Sequence, residues 1–195
     1  MSAQAARIDR GREAKPNGWW GMAVFVATEA TLFGTLIGTY FYLEFSNADW
    51  PPAGVPEPKV LAPVLLTVAL VATSIPVQAA SNAARRGRVR FAQLALLLAL
   101  LVQAAYLGLQ LHYFTDDLGS FSPNASSYAS IYFTLVGAHH FHVLVGMLLE
   151  AWLVVRLVSG LTPYRLVGLQ ATTFYWHFVN AVAVAVLLTQ ISPAL

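Results

Sequence analysis

Five stretches of this 195-residue chain are each long and apolar enough to cross a bilayer, and little sequence remains to form anything else. They run over residues 19–43, 60–80, 91–114, 130–155 and 164–189. A spanning helix needs about 20 predominantly apolar residues. The chain is 57% hydrophobic and 10% charged, against roughly 25% charge in a soluble domain. In lipid the backbone must satisfy its own hydrogen bonds, which leaves helices as the spanning structure for runs of this length. The expected fold is therefore all-α, a polytopic bundle of five transmembrane helices. Residues 1–18 read as a polar N-terminal tail and residues 19–195 as a single membrane domain. The breaks carry turn chemistry, as in Asp49-Trp50-Pro51-Pro52, Arg85-Arg86-Gly87, Ser122-Pro123-Asn124 and Ser159-Gly160-Leu161-Thr162-Pro163.

The distribution of cations sets an orientation, because Lys and Arg are retained on the cytoplasmic side. Arg7, Arg10, Arg12 and Lys15, then Arg85, Arg86, Arg88 and Arg90, then Arg156 and Arg165 alternate with breaks carrying Asp49, Glu57, Asp116 and Asp117. Lys59 alone falls on the acidic side. This places the N-terminus in the cytoplasm and the C-terminus outside. The start has no apolar segment of the kind a cleaved signal peptide carries. The arginines are divided among short loops, so a nucleic-acid partner is not expected. The absence of cysteine excludes disulfides and thiolate metal sites.

Polar residues inside the apolar runs are the candidates for function, since such groups at bilayer depth usually face a protein interior. On a helix, positions three, four and seven apart share a face. His139, His142, Gly146 and Glu150 form such a stripe on the fourth helix, with His140 about 100° away. Gln170, Thr173, His177 and Asn180 form one on the fifth, Gln103, Tyr106, Gln110 and Tyr113 on the third, and Thr67, Ser74, Gln78 and Ser81 on the second. On the first helix Glu29 lies nearly opposite a Gly34-x-x-x-Gly38 pair, which suits close contact with a second subunit.

Two chemistries compete for the imidazoles. His139, His142 and His177 converging at one depth would suit a haem or metal, but His139 and His142 are spaced i,i+3 with no acidic or thiolate partner nearby in sequence. The other reading is hydrogen-bonded structural histidines, and no metal site is expected. His140 and His112, on other faces, read as interface or headgroup-level residues. Glu29 has two readings as well: a proton-exchanging or lipid-contacting site, or a protonated carboxyl hydrogen-bonded to a neighbouring helix. Glu150 is expected to partner an imidazole or Arg156. Trp19, Trp20, Trp50 and Trp152 suit interfacial anchoring, and Trp176 suits packing.

Three motifs in order along the chain, Trp20-Gly21-Met22-Ala23-Val24-Phe25 with Thr28-Glu29, Val136-Gly137-Ala138-His139-His140-Phe141-His142-Val143-Leu144-Val145-Gly146, and Tyr175-Trp176-His177-Phe178-Val179, resemble subunit III of the cytochrome c oxidase family. The length resembles its five-helix bacterial form. The resemblance implies a non-catalytic accessory subunit of a haem-copper terminal oxidase in aerobic respiration. Such a subunit packs on catalytic subunit I and other oxidase subunits, stabilises the catalytic subunit, supports its proton uptake and binds phospholipid. Haem and copper then belong to the partner, and no catalytic residue or resident cofactor is expected in this chain. It further implies that Glu29 is the family's intramembrane glutamate. Asn180, Gln170 and Gln110 stand where or near where the family often carries an acidic residue, which keeps hydrogen bonding without charge. An accessory subunit of a nitric oxide reductase is the alternative. An independent transporter would call for internal repeats or several broken helices, whereas Pro63 and Pro76 interrupt only the second helix.

The topology is directly testable: a reporter fused after Leu195 is expected outside the cytoplasm and one inserted near Gly87 inside, and the reverse result for either contradicts the five-helix reading.

Overall fold

The computed structural model describes residues 16–56 and 60–194. The N-terminal tail up to Lys15, and Glu57 and Lys59, lie outside the described residues. Among those described, five helical spans are long and apolar enough to cross a membrane. They are α1 (Asn17–Ser46), a broken second span made of α2 (Leu61–Ala72) and α3 (Ser74–Arg85), α4 (Val89–Ser120), α5 (Ser127–Val158) and α6 (Pro163–Ile191). A short 3-10 turn, Ser192–Ala194, follows. The described residues contain no strand.

Sequence chemistry explains where these helices begin and end. The Ser126 hydroxyl accepts from the Ala129 amide at 3.1 Å and opens α5. Thr162 does the same for the Arg165 amide at 3.2 Å, with Pro163 in the first helical position of α6. Gly87 and Gly160 follow α3 and α5 with φ of 73° and 88°, values that a residue without Cβ adopts freely. The helices extend past the apolar runs by several residues, because the polar residues flanking each run continue the same backbone hydrogen bonding.

The break in the second span has an identifiable cause. Proline at position 76 has no amide hydrogen, and its ring crowds the carbonyl four residues earlier, at Ala72, where α2 ends. At the break the Thr73 amide bonds to the Leu70 carbonyl at 3.0 Å, a tightened turn. The freed Thr73 hydroxyl donates to the same carbonyl and accepts the indole N–H of Trp176 at 2.9 Å. A proline-induced bend therefore supplies a partner for a tryptophan that lies too deep to reach water.

The helix α6 is central and touches α1, α2, α3 and α5, while α4 packs against α2, α3 and α5. Its core contacts are made by Tyr175, Trp176 and Val179, all fully buried, against Leu70, Val77 and Val143. In a second cluster the small residues Ala80, Ala84 and Ala92, beside Leu96, let α3 and α4 approach closely near the arginine-bearing end. At the opposite end Tyr40, Trp50 and Tyr128 form an aromatic cluster with ring centroids 5.0–6.5 Å apart. Trp50 there donates to the Tyr40 hydroxyl at 3.1 Å. Trp20 and Trp152 are exposed, as interfacial anchors require.

Packing between α5 and α6 turns on Gly146. A Cβ at that position would stand 2.7 Å from two ring carbons of Trp176. The ring cannot retreat, because it is fully buried and its N–H is held by Thr73. Gly146→Ala is therefore expected to destabilise the fold by about 1–3 kcal/mol, the usual cost of overpacking. Gly137→Ala places its Cβ 3.7 Å from Phe114, an ordinary contact, and is expected to be near neutral. Unfolding of the two variants in detergent, followed by circular dichroism, separates them.

Candidate functional site

The polar stripes do face inward. His139, His142, Gly146 and Glu150 are buried on α5, as are Gln103, Tyr106 and Gln110 on α4 and Thr173 and Asn180 on α6. Sequence spacing does not tell which helix each side chain meets. The three imidazoles do not converge: each is tied to a different helix, and no group of three His, Cys, Asp or Glu side chains among the described residues is placed to hold a metal.

His142 meets α1. Its Nε2 lies 2.8 Å from Glu29 Oε2, and its Nδ1 lies 2.7 Å from the Ala138 carbonyl oxygen. A carbonyl only accepts, so Nδ1 carries a hydrogen and donates it. A neutral imidazole then presents a bare Nε2 to Glu29. The contact is a hydrogen bond only if one proton lies between the two atoms, either on the carboxyl or on the ring. The pair is then neutral as a whole in the first case and a balanced ion pair in the second. Only 11% of the His142 side chain and 17% of the Glu29 side chain are exposed. Phe33, one helical turn beyond Glu29 and 2% exposed, packs edge-on against the imidazole with centroids 5.0 Å apart. From α6 the Tyr175 hydroxyl donates to the His142 carbonyl at 3.1 Å. The carboxyl of Glu29 is thus hydrogen-bonded to a neighbouring helix.

His177 meets α3. Its Nε2 is 3.0 Å from Gln78 Oε1, an acceptor, so Nε2 donates. Its Nδ1 accepts from the Ser74 hydroxyl at 3.3 Å, and that same oxygen accepts from Asn180 Nδ2 at 2.6 Å. The amide of Gln78 then donates to Asn82 at 3.2 Å. This string of bonds joins α6 to α3 and gives His177 a partner at both nitrogens. His139 meets α4, with Nε2 3.3 Å from the Tyr106 hydroxyl, which also accepts from Gln110 at 3.3 Å.

Two expectations are corrected. His140 is not at an interface or headgroup level: it is 6% exposed and stands edge-on to Phe114 with centroids 5.7 Å apart. Its position on α5, 100° from the main stripe, faces α4 rather than lipid. Glu150 meets neither an imidazole nor Arg156. It is fully buried and accepts from Gln103 Nε2 at 3.0 Å, while Arg156 reaches outward over the exposed Trp152 ring at 5.5 Å. Stripes on α4 and α5 put hydrogen-bonding groups on both helices, but nothing in their spacing pairs Gln103 with Glu150. His112 is exposed, 3.7 Å from Asp116, as its face implied.

Gly34 and Gly38 lie on the exposed side of α1, where an added Cβ meets no atom within 4 Å. The opposite side, with Val26, Phe33 and Tyr40, is the buried one.

Residues 13–191 match the cytochrome c oxidase subunit III family. Among individual proteins, cytochrome c oxidase subunit 3 of Gallus gallus is 30% identical over 170 residues, covering 84% of this chain and 64% of the avian protein. The chain thus spans less than two thirds of that relative's length. The Bacillus subtilis protein of the same name is 29% identical over 85% of this chain and 81% of its own length. That of Thermostichus vulcanus is 25% identical over 91% and 88% respectively.

The geometry separates two substitutions. Glu29→Gln retains a donor for His142 Nε2 and is expected to change stability by less than about 1 kcal/mol. His142→Ala leaves the Glu29 carboxyl without its ring partner and removes a contact of Phe33, at an expected cost of about 1–3 kcal/mol. Unfolding in detergent measures both, and equal losses would contradict the assignment.

Proposed function

Because the chain belongs to the cytochrome c oxidase subunit III family, we propose that it is a non-catalytic accessory subunit of a haem-copper terminal oxidase in the bacterial cytoplasmic membrane. The observation that carries this reading is the Glu29–His142 pair, which joins two helices inside the region that matches the family. A pair that shares one proton carries no net charge in either arrangement, so it can stand in lipid, and a proton gained or lost there needs a compensating charge from the partner. It lies on the seam of α1 with α5, where part of both side chains is still exposed. This suits support of proton uptake and of the lipid environment of a partner, and it provides no group that would carry out electron transfer.

The proposed assembly places haem and copper in catalytic subunit I, with further oxidase subunits beside it. Gly34 and Gly38 form the surface by which α1 packs on a second subunit, because the exposed glycines let another helix approach the backbone closely. Phospholipid is proposed to fill the grooves left along α1. The arginine-bearing loops are taken to face the cytoplasm, with the C-terminus and the α1–α2 and α4–α5 connections outside.

Gentle detergent extraction through a tag on this chain tests the reading. A large haem-copper subunit with an oxidase spectrum is expected to co-purify, and a nitric oxide reductase or no haem protein at all would overturn it. In that complex Glu29→Gln is expected to assemble and to keep an initial rate within about a factor of two of wild type, since the barrier is set in another subunit. Faster loss of activity during sustained turnover is the expected phenotype. Abolished turnover with an intact spectrum would instead make Glu29 part of an obligatory proton path.

A further inference from the structure

A cavity of about 150 Å³ lies at the end of the bundle away from the arginine-bearing loops, between the second halves of α4 and α6, the first half of α5 and the α1–α2 connection. Asp116, Asp117 and Ser120 stand at its outer end, Tyr132 on its wall, and Gln110 and His140 at its inner end. The distance along α5 from Tyr128, another lining residue, to His140 is twelve residues, or about 18 Å. The cavity therefore reaches from the bundle's end to the middle of the apolar layer. The Glu29–His142 pair is on a different face of α5, since His140 and His142 are separated by about 200° of helix.

The chemistry of the lining changes little with depth. Tyr132 donates to Asp117 Oδ2 at 2.7 Å, and Gln110 donates to the Tyr106 hydroxyl, which contacts His139. His140 lines the cavity and is 6% exposed, while its Nδ1 has neither a protein partner nor open surface of its own. A polar cavity of this size holds several waters, each needing two to four polar partners. An apolar ligand would strip water from the Asp116 and Asp117 carboxylates at the outer end. No three ligating side chains come together among the described residues, which argues against a metal ion.

We propose that this cavity is a water-filled inlet from the non-cytoplasmic side, with His140 as a proton-exchanging site at its inner end. Its ligands are water and the protons that water delivers. Exchange occurs by transfer of a hydrogen between a water molecule and the imidazole of His140, so that the ring gains or loses one proton and the water chain carries the counterpart to the outside. This site is independent of Glu29.

The chain has no cysteine, so single cysteines report on the inlet cleanly. In the assembled complex, Ser120→Cys at the outer end, Val136→Cys one turn before His140, and Thr134→Cys on the exposed face of α5 at nearly the same depth are treated with a small, charged, membrane-impermeant methanethiosulfonate. The reagent needs a thiolate, which forms in water and not in lipid. Ser120→Cys is expected to react fastest. Val136→Cys is expected to react at least about tenfold faster than Thr134→Cys, and only when the reagent is added from the outside. Reaction at Val136→Cys no faster than at Thr134→Cys, or only from the cytoplasmic side, overturns the proposal. Ala62→Trp, which fills the cavity wall, is expected to slow Val136→Cys while sparing Ser120→Cys, and no slowing would also count against the inlet.

Discussion

The contact of the Trp176 ring with the backbone at Gly146 sets how closely α5 and α6 approach, and most of the bundle follows from that distance. It requires a residue without Cβ on one helix and a held ring on the other. The ring is held because Pro76 breaks the second span and leaves the Thr73 hydroxyl facing Trp176. With α5 this close, Tyr175 reaches the His142 carbonyl, and the imidazole is directed at α1. Van der Waals fit and interhelical hydrogen bonds must do this work, because lipid supplies no hydrophobic drive for helices to associate.

The same constraint explains the pattern of polar residues. Each imidazole of the main stripes is tied to a separate helix: His139 to α4, His142 to α1, His177 to α3. The histidines thereby act as ties between helices, and their chemistry is that of hydrogen bonding. Glu29 differs from the rest because its only described partner is itself titratable, so that one tie also holds a proton. Asn180 makes a neutral bond to Ser74 where an acidic side chain would have brought a second charge close to His177.

The sequence made the architecture legible because length and hydropathy in lipid admit few alternatives. The five spans, and the inward stripes on α4, α5 and α6, follow from helical periodicity. Periodicity gives a direction around one helix and says nothing of which helix stands opposite, so the Gln103–Glu150 pair and the burial of His140 were not readable. Which helix His139, His142 and His177 each meet was hidden for the same reason: similar depth is not similar direction. The break at Thr73 was half legible, since Pro76 announces an interruption but not the tryptophan that uses it. The opposed faces of Glu29 and Gly34/Gly38 were readable, because both lie on one helix and only the angle between them was needed.

The central claim is that His142 ties α1 to the bundle through a single proton shared with Glu29, its other nitrogen being committed to a backbone carbonyl. Nitrogen-15 magnetic resonance of histidine-labelled protein in lipid measures this directly. The account predicts a His142 ring with hydrogen on Nδ1 and a hydrogen-bonded Nε2 whose signal changes in Glu29→Gln. A ring with hydrogen on Nε2 alone and a bare Nδ1, or an Nε2 signal indifferent to Glu29→Gln, would contradict it.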